Sequence, residues 1–173
     1  ITPTLNGAFV ASAARIAQEG KYYAKFELVN GTNSDELVEK LQLHQINFAV
    51  VTRTALIEEA SSYKITKLFE DRIAWVVPSS VSDYEIKQSL MSGYPPSLTH
   101  ALGRYVDVTQ HTITRLEAKD WFSHNFPESI AAFSAPSFAN AIELVADGLA
   151  TCTVTLSLLP NLSPTIVNKV KFF

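Results

Sequence analysis

The side chains best placed for chemistry are small hydroxyls and amides that fall at one kind of position, just ahead of an amphipathic stretch or just behind an apolar run. Thr2, Thr4 and Asn6 precede the first amphipathic stretch, Thr32 and Asn33 precede the second, and Thr52-Arg53 follows the apolar run Ile46–Val51. Further along, Thr109, Gln110 and His111 lead into another helical stretch, and Ser134, Ser137 and Phe138 into the next. In open α/β sheets, solutes bind beyond the carboxyl ends of strands, where helix N-termini present free N–H groups. Taken singly, each of these residues is also an ordinary helix cap. Taken together, in two halves with the same order of elements, they point to a shared ligand cleft. Arg53 adds a guanidinium that clamps a carboxylate or phosphate if it faces the solute, and is a plain solvated arginine otherwise.

Covalent and metal chemistry have no comparable support. The six glycines are never closer than ten residues apart, so neither G-x-G-x-x-G nor a P-loop can be written. There is no G-x-S-x-G turn and no H-E-x-x-H. The four histidines, His44, His100, His111 and His124, are too dispersed to suggest a metal site. The single cysteine, Cys152, allows no internal disulfide, and its place in an apolar run predicts a buried thiol. No catalytic residue, metal or cofactor is expected.

The elements that must position the hydroxyls alternate between β-rich and amphipathic stretches. A helix is predicted over Ala8–Glu19 with Phe9, Ala13, Ile16 and Ala17 inward, then a strand over Lys25–Val29. Asn33 caps a helix that runs to about His44, with Glu36 completing a capping box and Leu37, Val38 and Leu41 inward. Ile46–Val51 reads as a strand buried on both faces, which makes a βαβ unit. Strands follow at Ile65–Phe69 and Ile73–Val77, and Pro78 ends the second. Ser79 to Gly103 changes character, with a short helix over Tyr84–Met91, and marks the candidate lobe boundary. A strand at Tyr105–Val108, a helix from Thr112 to His124, a strand at Ser129–Phe133 and a helix over Phe138–Asp147 come next. Gly148 suits the left-handed position after that last helix. Two final strands are predicted at Thr151–Thr155 and Thr165–Phe172.

Three segments carry a family resemblance. Asn30-Gly31-Thr32-Asn33-Ser34-Asp35-Glu36-Leu37-Val38-Glu39-Lys40-Leu41, continued by Ile46–Val51, resembles the effector-binding domain of LysR-type transcriptional regulators. Leu68–Pro78 is similar to that family's next segment, and Ala141–Ala150 to its helix ending in a glycine turn. The sequence departs from the pattern at Gln45-Ile46-Asn47, at Ala150 and at Thr155. The resemblance implies an α/β fold of two Rossmann-like lobes with a ligand cleft between them, like type-2 periplasmic binding proteins. Lobe I would span residues 1–77 and lobe II residues 78–173, with the first lobe trimmed at both chain ends. It places ligand contacts on Thr2, Thr4, Thr32, Arg53, Thr109, Gln110 and Ser134 to Phe138. Side-by-side dimers are implied too, or tetramers built from them, with Ala11 and Ala14 on the outer face of the first helix.

Composition is consistent with these expectations. The chain has 173 residues, 47% of them hydrophobic and 18% charged, a globular balance. Its formal net charge of −3 argues against a grip on nucleic-acid phosphates by this part of the protein. DNA contact is expected only through a helix-turn-helix domain outside it. No membrane partner is expected, because the long uncharged stretch Gly148–Asn168 is broken by Pro160 and Pro164. The functional expectation is a cytoplasmic sensor of a small metabolite, anionic if Arg53 takes part, with a periplasmic solute-binding protein as the alternative.

Overall fold

A computed structural model describes residues 8–20, 25–56, 63–97, 100–109 and 112–173, without the side chains of residues 8, 9 and 112–114. The chain divides into two units, Ile1–Asp71 and Arg72–Phe173.

Among the described residues, the first unit contains two helices, α1 (Ala8–Gly20) and α2 (Ser34–Gln42), and a 3-10 turn at Arg53–Ala55. Helix α2 begins where its cap residues allow. The Asn33 side chain accepts the Glu36 N–H at 2.8 Å, and the Thr32 N–H and hydroxyl both donate to Glu36 Oε2, at 2.7 and 2.6 Å. Lys40, one turn on, donates to Glu36 Oε1 at 2.6 Å. Those bonds, Lys40 first and Thr32 next, hold the Glu36 carboxyl at about 2, well below its ordinary 4.5. Gly31 is needed for close approach, since a Cβ there would lie 2.6 Å from Leu37 Cγ. Leu37 and Val38 are buried as the pattern predicts.

The unit departs from the sequence expectation in its strands. Among the described residues, none of Lys25–Val29, Ile46–Val51 or Ile65–Phe69 forms a ladder, so the predicted βαβ unit is not built. Phe48, at the centre of the run read as doubly buried, is 90% exposed. An apolar run specifies a strand only where a neighbour supplies hydrogen bonds and cover, and the exposed Phe48 has no such cover. The α1 stripe is likewise uncovered, with Ile16 64% exposed.

The second unit is organised around one strand. β1 (Ile73–Pro78) lies between β4 (Cys152–Thr155) and β5 (Val170–Phe172), antiparallel to both. The expected first lobe runs through Val77, but this pairing places the whole of β1 in the second unit. A parallel pair, β2 (Arg104–Val108) and β3 (Ile130–Ala135), joins them through Thr151, just ahead of β4. There the Val106 N–H donates to Thr151 O, and the Thr151 N–H to Arg104 O, each at 2.9 Å.

Helices cover both faces of this sheet. Val76, Val106, Val108, Cys152 and Val154 pack on one side against α5 (Phe138–Ala146). Trp75, Val77 and Tyr105 pack on the other, with Ile86 of α3 (Asp83–Ser92) and with Phe122 and Phe126 on and just past α4 (Thr112–Asn125). Trp75 lies 5.2 Å, ring to ring, from both Trp121 and Phe126, and Tyr105 stacks on Phe122 at 4.3 Å. The Trp75 indole N–H is buried without a hydrogen-bond partner among the described residues, which the aromatic packing must offset.

Most predicted boundaries in this unit hold within a residue or two, and Gly148 takes the left-handed conformation at φ 77°. The exception is Thr165–Phe172. Ser163 instead caps a short helix, α6 (Pro164–Val167), with proline in its first turn, and only Val170–Phe172 pairs as a strand.

One ion pair ties β2 to α4. Arg115 donates through Nε to Asp107 Oδ1 at 2.7 Å and through Nη2 to Oδ2, and Lys119 stands 3.9 Å from the same oxygen. The Arg115 bond holds the Asp107 carboxyl below its ordinary 3.8. A carboxylate depressed in this way contributes stability above that ordinary value and loses it as pH falls through the lower folded value. Asp107→Asn is therefore expected to cost about 1–2 kcal/mol near neutral pH and little in acid. Urea melts at several pH values will show the gap closing below about pH 4; a pH-independent gap contradicts the pairing. For Glu36, carboxyl NMR titration should move up from about 2 in Lys40→Met and less far in Thr32→Val, and an unmoved value in both contradicts the cap.

Candidate functional site

In the first unit the candidate residues converge on the start of α2. The Ser34 hydroxyl, in the first helical residue, accepts the Thr52 N–H at 3.1 Å and the Thr52 hydroxyl at 3.2 Å. The Thr52 and Thr54 hydroxyls lie 3.1 Å apart. The 3-10 turn is thereby stitched to the helix N-terminus, with Arg53 between the two threonines. Arg53 is exposed and has no ion-pair partner among the described residues. Thr32 belongs to the same corner, although its hydroxyl proton is committed to Glu36. Ser34 and Thr54 were not singled out by the sequence; the usable signals were serine at the first position after the cap and the alternation Thr52-Arg53-Thr54.

In the second unit the candidates gather at the carboxyl ends of the parallel strands β2 and β3. Val108 pairs with Ala135 and Asp107 with Ser134. The Ala135 carbonyl accepts the Thr109 N–H at 3.0 Å and the Thr109 hydroxyl at 3.3 Å, which pins the end of β2 to its neighbour. Ser134 and Thr109 are exposed. Ser137 caps α5: its Oγ accepts the Asn140 N–H at 3.3 Å and donates to Asn140 Oδ1 at 2.7 Å. Phe138, also a candidate, is 4% exposed and packs in the core beneath β2 and β3. Its side chain anchors the helix start and is not presented to solvent. Thr2, Thr4, Asn6 and Gln110 lie outside the described residues.

Each corner can do the same chemistry. Thr32, Thr52, Thr109 and Ser137 donate their hydroxyl protons to local capping or turn bonds, while the Ser34 hydroxyl accepts from Thr52. The corners thus offer both lone pairs and hydroxyl donors to a polar solute. The first corner adds a formal positive charge from Arg53, which has no ion-pair partner among the described residues. No group of three or more His, Cys, Asp or Glu side chains stands together among the described residues. No helix there is long and apolar enough to cross a membrane.

No protein-family model matches the sequence and no curated protein is detectably similar to it. Solved structures, however, share its fold. The effector-binding domain of QuiR in complex with shikimate superposes with a TM-score of 0.61 at 9% identity, over 99% of this chain and 76% of that one. A hydrogen-peroxide-bound cysteine-to-serine mutant of OxyR from Corynebacterium glutamicum matches at 0.61 with 17% identity, over 99% of this chain and 51% of the other. Full-length CbnR complexed with its target DNA matches at 0.56 with 16% identity, over 94% of this chain and 53% of that one. The chain therefore spans about half the length of the latter two. The resemblance read from the three sequence segments and the structural likeness agree: the fold is that of the effector-binding and regulatory domains of LysR-type regulators.

Proposed function

We infer that this chain is the effector-sensing regulatory domain of a LysR-type transcriptional regulator. It takes a small anionic metabolite and controls transcription through an attached helix-turn-helix domain. One observation carries the reading: on a fold shared with a shikimate-bound effector-binding domain, hydroxyl-lined corners stand at the start of α2 and at the ends of β2 and β3. Thr32, Ser34, Thr52 and Arg53 would hold the solute from the first unit. Thr109, Ser134 and Ser137 would do so from the second, with Thr2, Thr4, Asn6 and Gln110 as further candidate contacts. The solute shifts the protein between states only by its difference in affinity for them.

On this reading the protein acts as a binder rather than an enzyme, which the regulators among the similar structures support. Those same neighbours favour the sensor over a solute-binding protein of a transporter. A cytoplasmic homodimer or homotetramer is the proposed assembly. DNA is a partner only through the separate domain, as the CbnR–DNA complex illustrates for its own protein.

A redox reading is suggested by the OxyR neighbour, and Cys152 argues against it. The thiol is fully buried in β4, and burial pushes its pKa far up, away from the reactive thiolate.

Two measurements test this account. A thermal-shift panel of small carboxylates, with shikimate among them, is expected to contain a stabilising ligand. Arg53→Met should weaken its binding by roughly ten- to a hundredfold, the value of a charge-assisted bond. Thr109→Val should weaken it by less. No stabilisation across the panel, or a ligand indifferent to Arg53→Met, contradicts the site. Separately, hydrogen peroxide and maleimide should leave Cys152 unmodified in the native protein and modify it in urea; rapid native labelling contradicts the buried thiol.

A further inference from the structure

The join between β2 and β4 stops after a single rung. The two strands meet in parallel with Tyr105 opposite Thr151, and the next rung, Asp107 opposite Thr153, is not made. A regular parallel ladder would close there, with the Thr153 N–H on Val106 O and the Val108 N–H on Thr153 O.

The directions of the neighbouring bonds show that these groups face the gap. The Trp75 N–H donates to Phe173 O and the Phe173 N–H to Trp75 O, each at 2.9 Å. Trp75 opposite Thr153 is therefore a non-hydrogen-bonded antiparallel pair, which turns the Thr153 N–H and C=O away from β1 and toward β2. On β2 the Val106 N–H donates to Thr151 O, while the Thr109 N–H donates to Ala135 O of β3. Alternation along the strand then aims the Val106 C=O and the Val108 N–H at β4. Val106, Val108 and Thr153 are 4%, 7% and 4% exposed. Backbone polar groups buried to that degree need partners.

A small cavity occupies the place of the missing rung. It measures about 10 Å³ and is lined by Val106, Asp107, Val108 and Thr153 of the strands and by Ala118 and Lys119 of α4. We propose that one ordered water sits in this gap and replaces the rung. It accepts from the Thr153 and Val108 N–H groups and donates to the Val106 and Thr153 carbonyls.

Two features select water over other occupants. The volume matches one solvent molecule, for which about 10–15 Å³ suffices. The backbone groups facing the gap include both donors and acceptors. A metal cation would satisfy the carbonyls alone and a halide the N–H groups alone, whereas one water serves both. Arg115 and Lys119, which also line the cavity, disfavour a cation further. The parallel pair is then tied to the antiparallel sheet by one direct rung at Tyr105 and one hydrated rung at Val108, the residue before Thr109.

Couplings across hydrogen bonds, read by NMR on the deuterated 173-residue chain, test the proposal. Couplings from N to C′ are expected for Val106 to Thr151 and for Thr151 to Arg104, the two bonds of the direct rung. None is expected for Thr153 to Val106 or for Val108 to Thr153. Oxygen-17 relaxation dispersion of the solvent counts long-lived waters, and Ala118→Val, which adds bulk at the cavity wall, should lower that count by one. A high-resolution crystal structure of the unsubstituted chain should place a solvent oxygen within hydrogen-bond distance of Thr153 N and Val106 O, and it reads the site even if the valine variant fails to fold. Either coupling across the gap, an unchanged water count in folded Ala118→Val, or a dry gap in the crystal overturns it.

Discussion

Burial of β1 on both faces is the constraint from which the second unit follows. Trp75 and Val77 go to the α3–α4 side and Val76 to the α5 side, so one strand anchors both apolar clusters. Val76 and Val77 are fully buried, each contributing about 1.5–3 kcal/mol relative to exposure. With β4 on one edge of β1 and β5 on the other, the parallel pair joins the sheet on the β4 side. Thr151 makes that join, buried and bonded at both backbone groups. The carboxyl ends of β2 and β3 are held in place as a result, and the hydroxyls of Thr109 and Ser137 inherit their positions from the core.

On the proposed reading, capping and recognition share the same atoms. Thr32, Thr109 and Ser137 each spend a hydroxyl proton locally, on Glu36, Ala135 O and Asn140. If these corners hold the solute, Thr32, Thr109 and Ser137 would serve mainly as acceptors. Donors to an anion would come from Arg53 and from hydroxyls such as that of Ser34, which accepts from Thr52. On the proposed reading an anionic solute is favoured by Arg53, which is exposed and has no carboxylate partner among the described residues. The structure also explains why these residues look so ordinary in the sequence. Their capping duty is real, and any binding is additional to it.

Legibility divides along the same lines. In the second unit the strands are short and bounded by turn residues, and β1 and β4 are buried on both faces, so pattern and burial agree there. β3, by contrast, leaves residues 130–132 and Ser134 exposed. The α2 start was legible from Asn33 and Glu36, although Thr32 proved to be the residue that Glu36 bonds back to. The strands at Lys25–Val29, Ile46–Val51 and Ile65–Phe69 were misread because an apolar run reports hydrophobicity and not the presence of a partner. At Thr165–Phe172 the pair Ser163-Pro164 was the overlooked signal, a cap followed by a proline at the first helical position. Asp107 with Arg115, and Ser34 with Thr52, join residues through tertiary folding that no local pattern announces.

Shift mapping of the isotopically labelled chain with a metabolite that raises its melting temperature tests the central claim most directly. The account predicts simultaneous, saturable perturbation of amides at 32–36 and 52–54 and at 109 and 134–138, all with one dissociation constant. Perturbations confined to one of those groups, or falling wholly outside them, would contradict it.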